Sequence, residues 1–258
     1  MIPISDNLQP TRTPVVTWLL LGLNFLVFFF HLGLPEKLLI QTYYFWGLVP
    51  ARLTDPQYAW YFGDQAGALI TLFTSMFIHG GWLHLLANSW TLWLFGDDVE
   101  DRLGHLRFAA LYLASGLIGG LTHLLLFSDS TTPLVGASGA VAGLMGAYLY
   151  LFPHARINVL VPLIFFIDVW KIPAVLYLPF WFIGELFSGT FSLVGISLSN
   201  VAFWAHIGGF IAGLLLVRAY ISDRYETTST VFSAQPRYPD VIYLPGRKGE
   251  VIYFHRSG

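Results

Sequence analysis

Thr132–Pro153 reads "TPLVGASGAVAGLMGAYLYLFP" and is apolar over most of its length. Small residues crowd its first half, and Ser138 stands between Ala137 and Gly139. A helix that is apolar on every side belongs in a large core or in a membrane. Serine is common where membrane helices touch, so Ser138 taken alone reads as a packing residue. A nucleophilic reading needs a base and donors supplied by other segments.

The rest of the chain decides for the membrane. Of its 258 residues 55% are hydrophobic and only 11% charged, with a mean hydropathy of +0.63. A soluble domain carries about 25% charged residues. The solid apolar runs exclude an outer-membrane barrel, whose segments alternate. A net charge of −2 argues against a nucleic-acid partner. The absence of cysteine excludes disulfides and thiolate metal sites. The first run is too long for a signal-peptide core and has only Arg12 as a basic flank, so it reads as a retained span.

Six spans can be drawn, at about Pro14–Leu32, Trp82–Phe95, Leu106–Phe127, Ala137–Phe152, Ile172–Phe187 and Val201–Ile221. The expected fold is therefore an all-α polytopic bundle of six transmembrane helices. The second, fourth and fifth spans fall short of the roughly 20 residues that a lipid-exposed helix needs. An even number of spans puts both termini on one side. That side collects Arg12, Arg102, Arg107, Arg156, Lys171, Arg218 and Arg224, against Lys37 and Arg52 on the other. The positive-inside rule makes the basic side cytoplasmic.

The organisation follows as a cytoplasmic N-terminus at 1–13, a six-span domain at 14–222 and a polar cytoplasmic tail at 223–258. In the tail, two β-type runs flank Gly246–Gly249 and suggest a hairpin. Residues 33–81 form a long first loop whose Tyr and Trp density suits the membrane boundary, so it is expected to be ordered and partly embedded. Residues 154–171 are apolar, but Pro162, Asp168 and Lys171 argue for a segment at the cytoplasmic interface. Asp97, Asp98, Glu100 and Asp101 read as a solvated turn.

Polar side chains inside spans are costly and tend to be functional. Ser138 lies in the first turn of the fourth span. His206 lies about 9 Å into the sixth, at 1.5 Å per residue. His84 and Asn88 are one turn apart on one face of the second. All three spans enter from the outside, so these four side chains share a depth. Gly139 and Gly143 on the fourth span, and Gly209 and Gly213 on the sixth, have the i, i+4 spacing that lets helix backbones approach. Close packing there would bring Ser138 toward His206. A serine hydroxyl needs an adjacent base to act as a nucleophile. The second, fourth and sixth spans carry no Asp or Glu in their outer halves to orient that base, so the chemistry reads as a Ser-His dyad. His84, Asn88 and the Ser138 amide would supply donors for an oxyanion. Gly136 and Gly139 would let the backbone bend around the serine. Glu185, near the outer end of the fifth span, is expected to reach water. A role in gating is the alternative for it.

"GASGA" with Ser138, "AHIGGFIAG" with His206, "HGGWLHLLAN" with His79, His84 and Asn88, and "VEDRLG" after the second span resemble the motifs of rhomboid intramembrane serine proteases. The likeness runs from about Phe45 to Tyr220, in the family's motif order. It implies a six-helix bundle of the compact prokaryotic type, in the plasma membrane, with its active site opening outward. It implies Ser138 as nucleophile, His206 as base, an oxyanion hole of His84, Asn88 and the Ser138 amide, and a structural His79. It implies no cofactor and no metal. The implied partners are membrane lipid and single-span membrane proteins, cut near the outer end of their span, with the fifth helix as a lateral gate. Two positions depart from the pattern. Ala142 stands where some members carry a Tyr on the histidine ring, so another group must hold His206. The first loop lacks a Trp-Arg pair.

The rival readings are fewer. No H-E-x-x-H helix serves a zinc protease, and no pair of intraspan aspartates serves an aspartyl protease. A small membrane transporter and a catalytically inactive relative that binds membrane helices are the alternatives.

Overall fold

The computed structural model describes residues 1–62, 67–162, 167–193, 201–232, 241–245 and 251–255, with side chains up to residue 221. The first unit, Met1–Val217, starts with strand β1 (Ile2–Ser5) and helix α1 (Val15–Leu32). The first loop follows as α2 (Glu36–Trp46), α3 (Pro50–Thr54), α4 (Pro56–Trp60) and α5 (Thr71–Thr74), the last flanked by 3-10 turns at Gly67–Ile70 and Ser75–Phe77. Then come α6 (Trp82–Leu103), α7 (His105–Leu126) and α8 (Ser138–Leu151). Strands β2 (Arg156–Pro162) and β3 (Ile167–Pro173) lead into α9 (Ala174–Leu193) and α10 (Phe203–Phe232).

Among the described residues, four helices, α1, α7, α9 and α10, are long and apolar enough to cross a membrane. Helix α6 meets the same test together with Gly67–Phe77, across a bend of 78°. Helix α8 is shorter, about 21 Å at 1.5 Å per residue. It tolerates that length because Gly139 through Tyr148 are all buried. Helices α6, α7 and α9 pack around it, and α10 meets it through glycines. The outer faces carry exposed Leu19, Phe30, Leu125, Phe180 and Phe187. In water such a shell would be a severe liability, and against lipid tails it is the expected surface. The protein is a helical integral membrane protein.

Helix α1 is peripheral. Its buried residues Thr17, Asn24, Phe28 and His31 form one stripe. Its N-terminus is held by Glu100 of α6. The carboxylate accepts from the Val16 amide at 2.8 Å, the Thr17 amide at 2.8 Å and the Thr17 hydroxyl at 2.7 Å. His105 adds a contact at 2.5 Å. The solvated acidic turn expected at 97–101 is thus corrected. Glu100 is 1% exposed, because an uncapped helix start needs an acceptor and this carboxylate serves it, and Asp98 is 5% exposed. Glu100→Ala is expected to cost about 3 kcal/mol, since it orphans two amides and a hydroxyl at once. The check is the unfolding midpoint in detergent, and a wild-type midpoint would rule the clamp out.

Residues 154–171, expected as an interfacial segment, carry two strands. Strands β2 and β3 pair antiparallel from Arg156 opposite Pro173 to Pro162 opposite Ile167, and β1 adds to the free edge of β2. Ile157, Val159 and Val161 are buried in alternation, the period-2 signature of a strand. The connection at 163–166 lies outside the described residues. The N-terminal segment is tied to the bundle by the Trp90 Nε1 donor to the Pro3 carbonyl at 2.7 Å and by a hydrogen bond between Tyr148 and Asp6.

The first loop is ordered around Arg52, which is 5% exposed. Its guanidinium donates to the Phe45 carbonyl at 2.9 Å and lies 4.8 Å from the centre of the Phe62 ring. Trp60 and Tyr61 stay exposed at the edge of the loop, as residues that anchor in a membrane interface do.

The second unit, Arg218–Gly258, holds the end of α10 and an antiparallel hairpin of β4 (Val241–Pro245) and β5 (Val251–His255), with Val241 opposite His255. Residues 246–250 lie outside the described residues.

Candidate active site

Ser138 opens α8, and the segment before it is pinned on two sides. Leu134 exchanges both backbone hydrogen bonds with Leu48, at 2.9 and 2.8 Å. The Gly136 amide donates to the Ser75 carbonyl at 2.9 Å. Gly136 has φ +122, a conformation open mainly to glycine. A Cβ at Gly136 would also lie 2.5 Å from His84 Nε2 and 3.6 Å from Asn88 Nδ2. The tight start of α8 and two side chains of α6 therefore meet two residues before Ser138.

Those side chains are poised as donors. The Gly80 amide donates to His84 Nδ1 in a long bond of 3.5 Å. An Nδ1 that accepts leaves the proton of the neutral ring on Nε2, the atom facing Gly136. Asn88 is 6% exposed, and its Nδ2 is buried without a hydrogen-bond partner. The amides at the start of α8 have no intrahelical acceptor, and the helix dipole there favours negative charge. Beneath them, His79 is fully buried, with its ring centre 5.2 Å from that of His84. Asn88→Ala is expected to lower kcat about 10²–10³-fold with KM little changed, as loss of one oxyanion donor does. A kcat within threefold of wild type would remove Asn88 from the site.

On the other side of Ser138, glycines bring α10 against α8. A Cβ at Gly209 would fall 1.9 Å from the Gly139 carbonyl oxygen, and one at Gly213 equally close to that of Gly143. Gly119 of α7 joins the contact, with a hypothetical Cβ 2.5 Å from the Ala205 carbonyl oxygen. Gly139 thus lies beside Ala205, which sets the next residues in each chain direction, Ser138 and His206, at one level. His84 and His206 are near enough to interact electrostatically.

Among the described residues, the one hydrogen bond of the His206 ring joins Nδ1 to Glu185 Oε2 at 2.7 Å. Trp181, one turn earlier on α9, stacks on the ring with centres 6.3 Å apart and planes 26° apart. Glu185 is not simply solvated, as the sequence suggested. Its side chain is 15% exposed. The signal was an ionisable residue inside the apolar run at 172–187, which flags function by itself. Its partner could not be read, because it lies on another helix. Gly116 and Gly119 on α7 were likewise overlooked despite their small-residue spacing. The described residues hold no group of three or more His, Asp or Glu side chains arranged to bind a metal.

A family model described as "Rhomboid domain" matches residues 66–223. The chain is 33% identical over 169 residues to "Rhomboid protein 1, mitochondrial" of Saccharomyces cerevisiae, covering 63% of this chain and 45% of that one. It is 40% identical over 93 residues to the "Putative rhomboid protease YdcA" of Bacillus subtilis, covering 34% and 44%. It is 38% identical over 96 residues to the "Rhomboid protease GluP" of Bacillus subtilis, covering 35% and 18%. The matched part spans less than half the length of each of these relatives.

Proposed function

The chain belongs to the rhomboid family, and we propose that it is an intramembrane serine endopeptidase acting through Ser138 and His206. Two of the relatives that it resembles are named as proteases. The substrates are single-span membrane proteins, cut near the outer end of the span. Residues 14–222 form the protease, and 1–13 and 223–258 face the cytoplasm across the plasma membrane.

The observation that carries this reading is the convergence of His84 Nε2 and Asn88 Nδ2 on Gly136. They lie beside a helix start that has Ser138 as its first residue and the Ala205–His206 turn opposite. Two donors and a row of free amides around one hydroxyl suit a tetrahedral oxyanion. Ser138 Oγ bonds to the carbonyl carbon, and the carbonyl electron pair moves to its oxygen, held by His84, Asn88 and the Ser138 amide. The hydroxyl proton passes to His206 Nε2. As the carbon–nitrogen bond breaks, that proton leaves with the amine. A water then gives its proton to Nε2 as its oxygen attacks the acyl carbon. Collapse returns the proton to Ser138 and releases the acid.

The test is reaction of the purified protein with a fluorophosphonate, with the modified residue located by mass spectrometry, beside cleavage of a single-span substrate in liposomes. Modification at Ser138 with cleavage supports the enzyme. No modification and no cleavage would leave an inactive helix-binding relative or a transporter.

A further inference from the structure

A neutral imidazole has two tautomers, and only the one with its proton on Nδ1 leaves a lone pair on Nε2 for a serine. Among the described residues, no side chain of α6, α8 or α10 hydrogen-bonds the His206 ring to select between them, and Ala142 offers no ring to hold the imidazole. Helix α9 supplies both functions. An ionised carboxylate can only accept hydrogen bonds, so with Glu185 as the anion the 2.7 Å contact draws the proton of the neutral His206 ring to Nδ1. That length is typical of a charge-assisted bond. The two side chains are 15% and 13% exposed, so water competes little for either. Trp181, at i−4 on the same face of α9, fixes the plane of the ring.

We propose that Glu185 is a positioning residue for His206, so that the site works as a serine, a histidine and a carboxylate delivered by a third helix. The proposal rests on Ser138 and His206 being the reacting pair. The carboxylate selects the tautomer with Nε2 free, holds the ring toward Ser138 and stays beside the imidazolium when Nε2 takes the serine proton. Its purpose is more than fastening α9 to α10. Phe182 already stacks on Phe210 with centres 4.7 Å apart, and the Trp204 indole donates to the Gly189 carbonyl at 2.9 Å. Glu185→Ala and Glu185→Gln are therefore expected to fold.

Two readouts are taken on wild type and both variants. One is kcat and KM on a single-span substrate. The other is the tautomer of His206 by 15N-histidine NMR in detergent, its signal identified by loss in His206→Ala. Wild type is expected to show the proton on Nδ1. In Glu185→Ala, kcat should fall by about 10⁴-fold with KM little changed, the size of the loss when a serine–histidine pair loses its carboxylate. The ring should revert to mainly the Nε2-protonated form. Glu185→Gln should lose kcat as well, since its amide keeps the shape without the charge. In Glu185→Ala both readouts must change together, and a change in either alone overturns the proposal. A rise in kcat would make the contact a latch on α9 and overturn it too. The NMR readout needs no activity. A wild type that is unreactive at Ser138 but carries the Nδ1 proton would remove the dyad and not the contact. A reactive Ser138 with Glu185→Ala unchanged would remove the positioning role alone.

Discussion

Ser138→Ala and His206→Ala are each expected to lower kcat on a single-span substrate by about 10⁴–10⁶, and the double variant no further. Residues that act as one unit lose nearly everything at the first deletion, so their effects do not add. Without Oγ there is no nucleophile. Without the ring the hydroxyl keeps its proton and stays a weak one. On the proposed mechanism, what survives comes from His84, Asn88 and the amides at the start of α8, which would still hold a peptide carbonyl. Substrate binding, followed by capture of the uncut single-span protein on Ser138→Ala, should be near wild type. Cleavage by His206→Ala within tenfold of wild type would sink the assignment of the base. Losses that multiply in the double variant would mean that the two residues act on separate steps.

Gly209→Val carries the second large effect, on the fold and the site together. A Cβ at position 209 would sit 1.9 Å from the Gly139 carbonyl oxygen, where real contacts begin near 3.4 Å. Backbone on both sides leaves no flexible group to yield, so α10 must retreat from α8. His206 lies in the first turn of that helix and Ser138 opens the other. Separation by about 1 Å is enough to cost roughly 10²-fold in rate, before any loss of folded protein. Helix packing in a membrane rests on close van der Waals fit, with no water to drive the helices together. Gly22→Ala is the control, because nothing lies within 4 Å of a Cβ there. The expected result is a lower unfolding midpoint and near-complete loss of cleavage for Gly209→Val, with Gly22→Ala like wild type. If the two variants behave alike, the glycine contact does not set the geometry of the site.

Much of this follows from local rules. The membrane class was legible because long apolar runs have few uses outside a bilayer. A helix rises by a fixed step, which set Ser138, His206, His84 and Asn88 at one expected level without knowing which helices touch. The i, i+4 glycines named the faces that would meet. The α8–α10 contact runs along those faces, at Gly139 against Gly209 and Gly143 against Gly213.

What resisted reading depends on partners far apart in the chain. The alternation of Ile157, Val159 and Val161 is visible in the sequence. Its use is not, since β1 arrives from the N-terminus, and strand pairing has no fixed sequence separation. Glu100 looked like one of four surface acids, and only the start of α1 gives it a reason to be buried. Glu185 is the sharpest case. Composition determined a polytopic membrane protein, and helical periodicity determined which side chains share a face and a depth. Which carboxylate holds the His206 ring was decided by tertiary structure. Periodicity orders the residues within one helix, whereas a 2.7 Å hydrogen bond between α9 and α10 depends on how two helices pack and turn against each other.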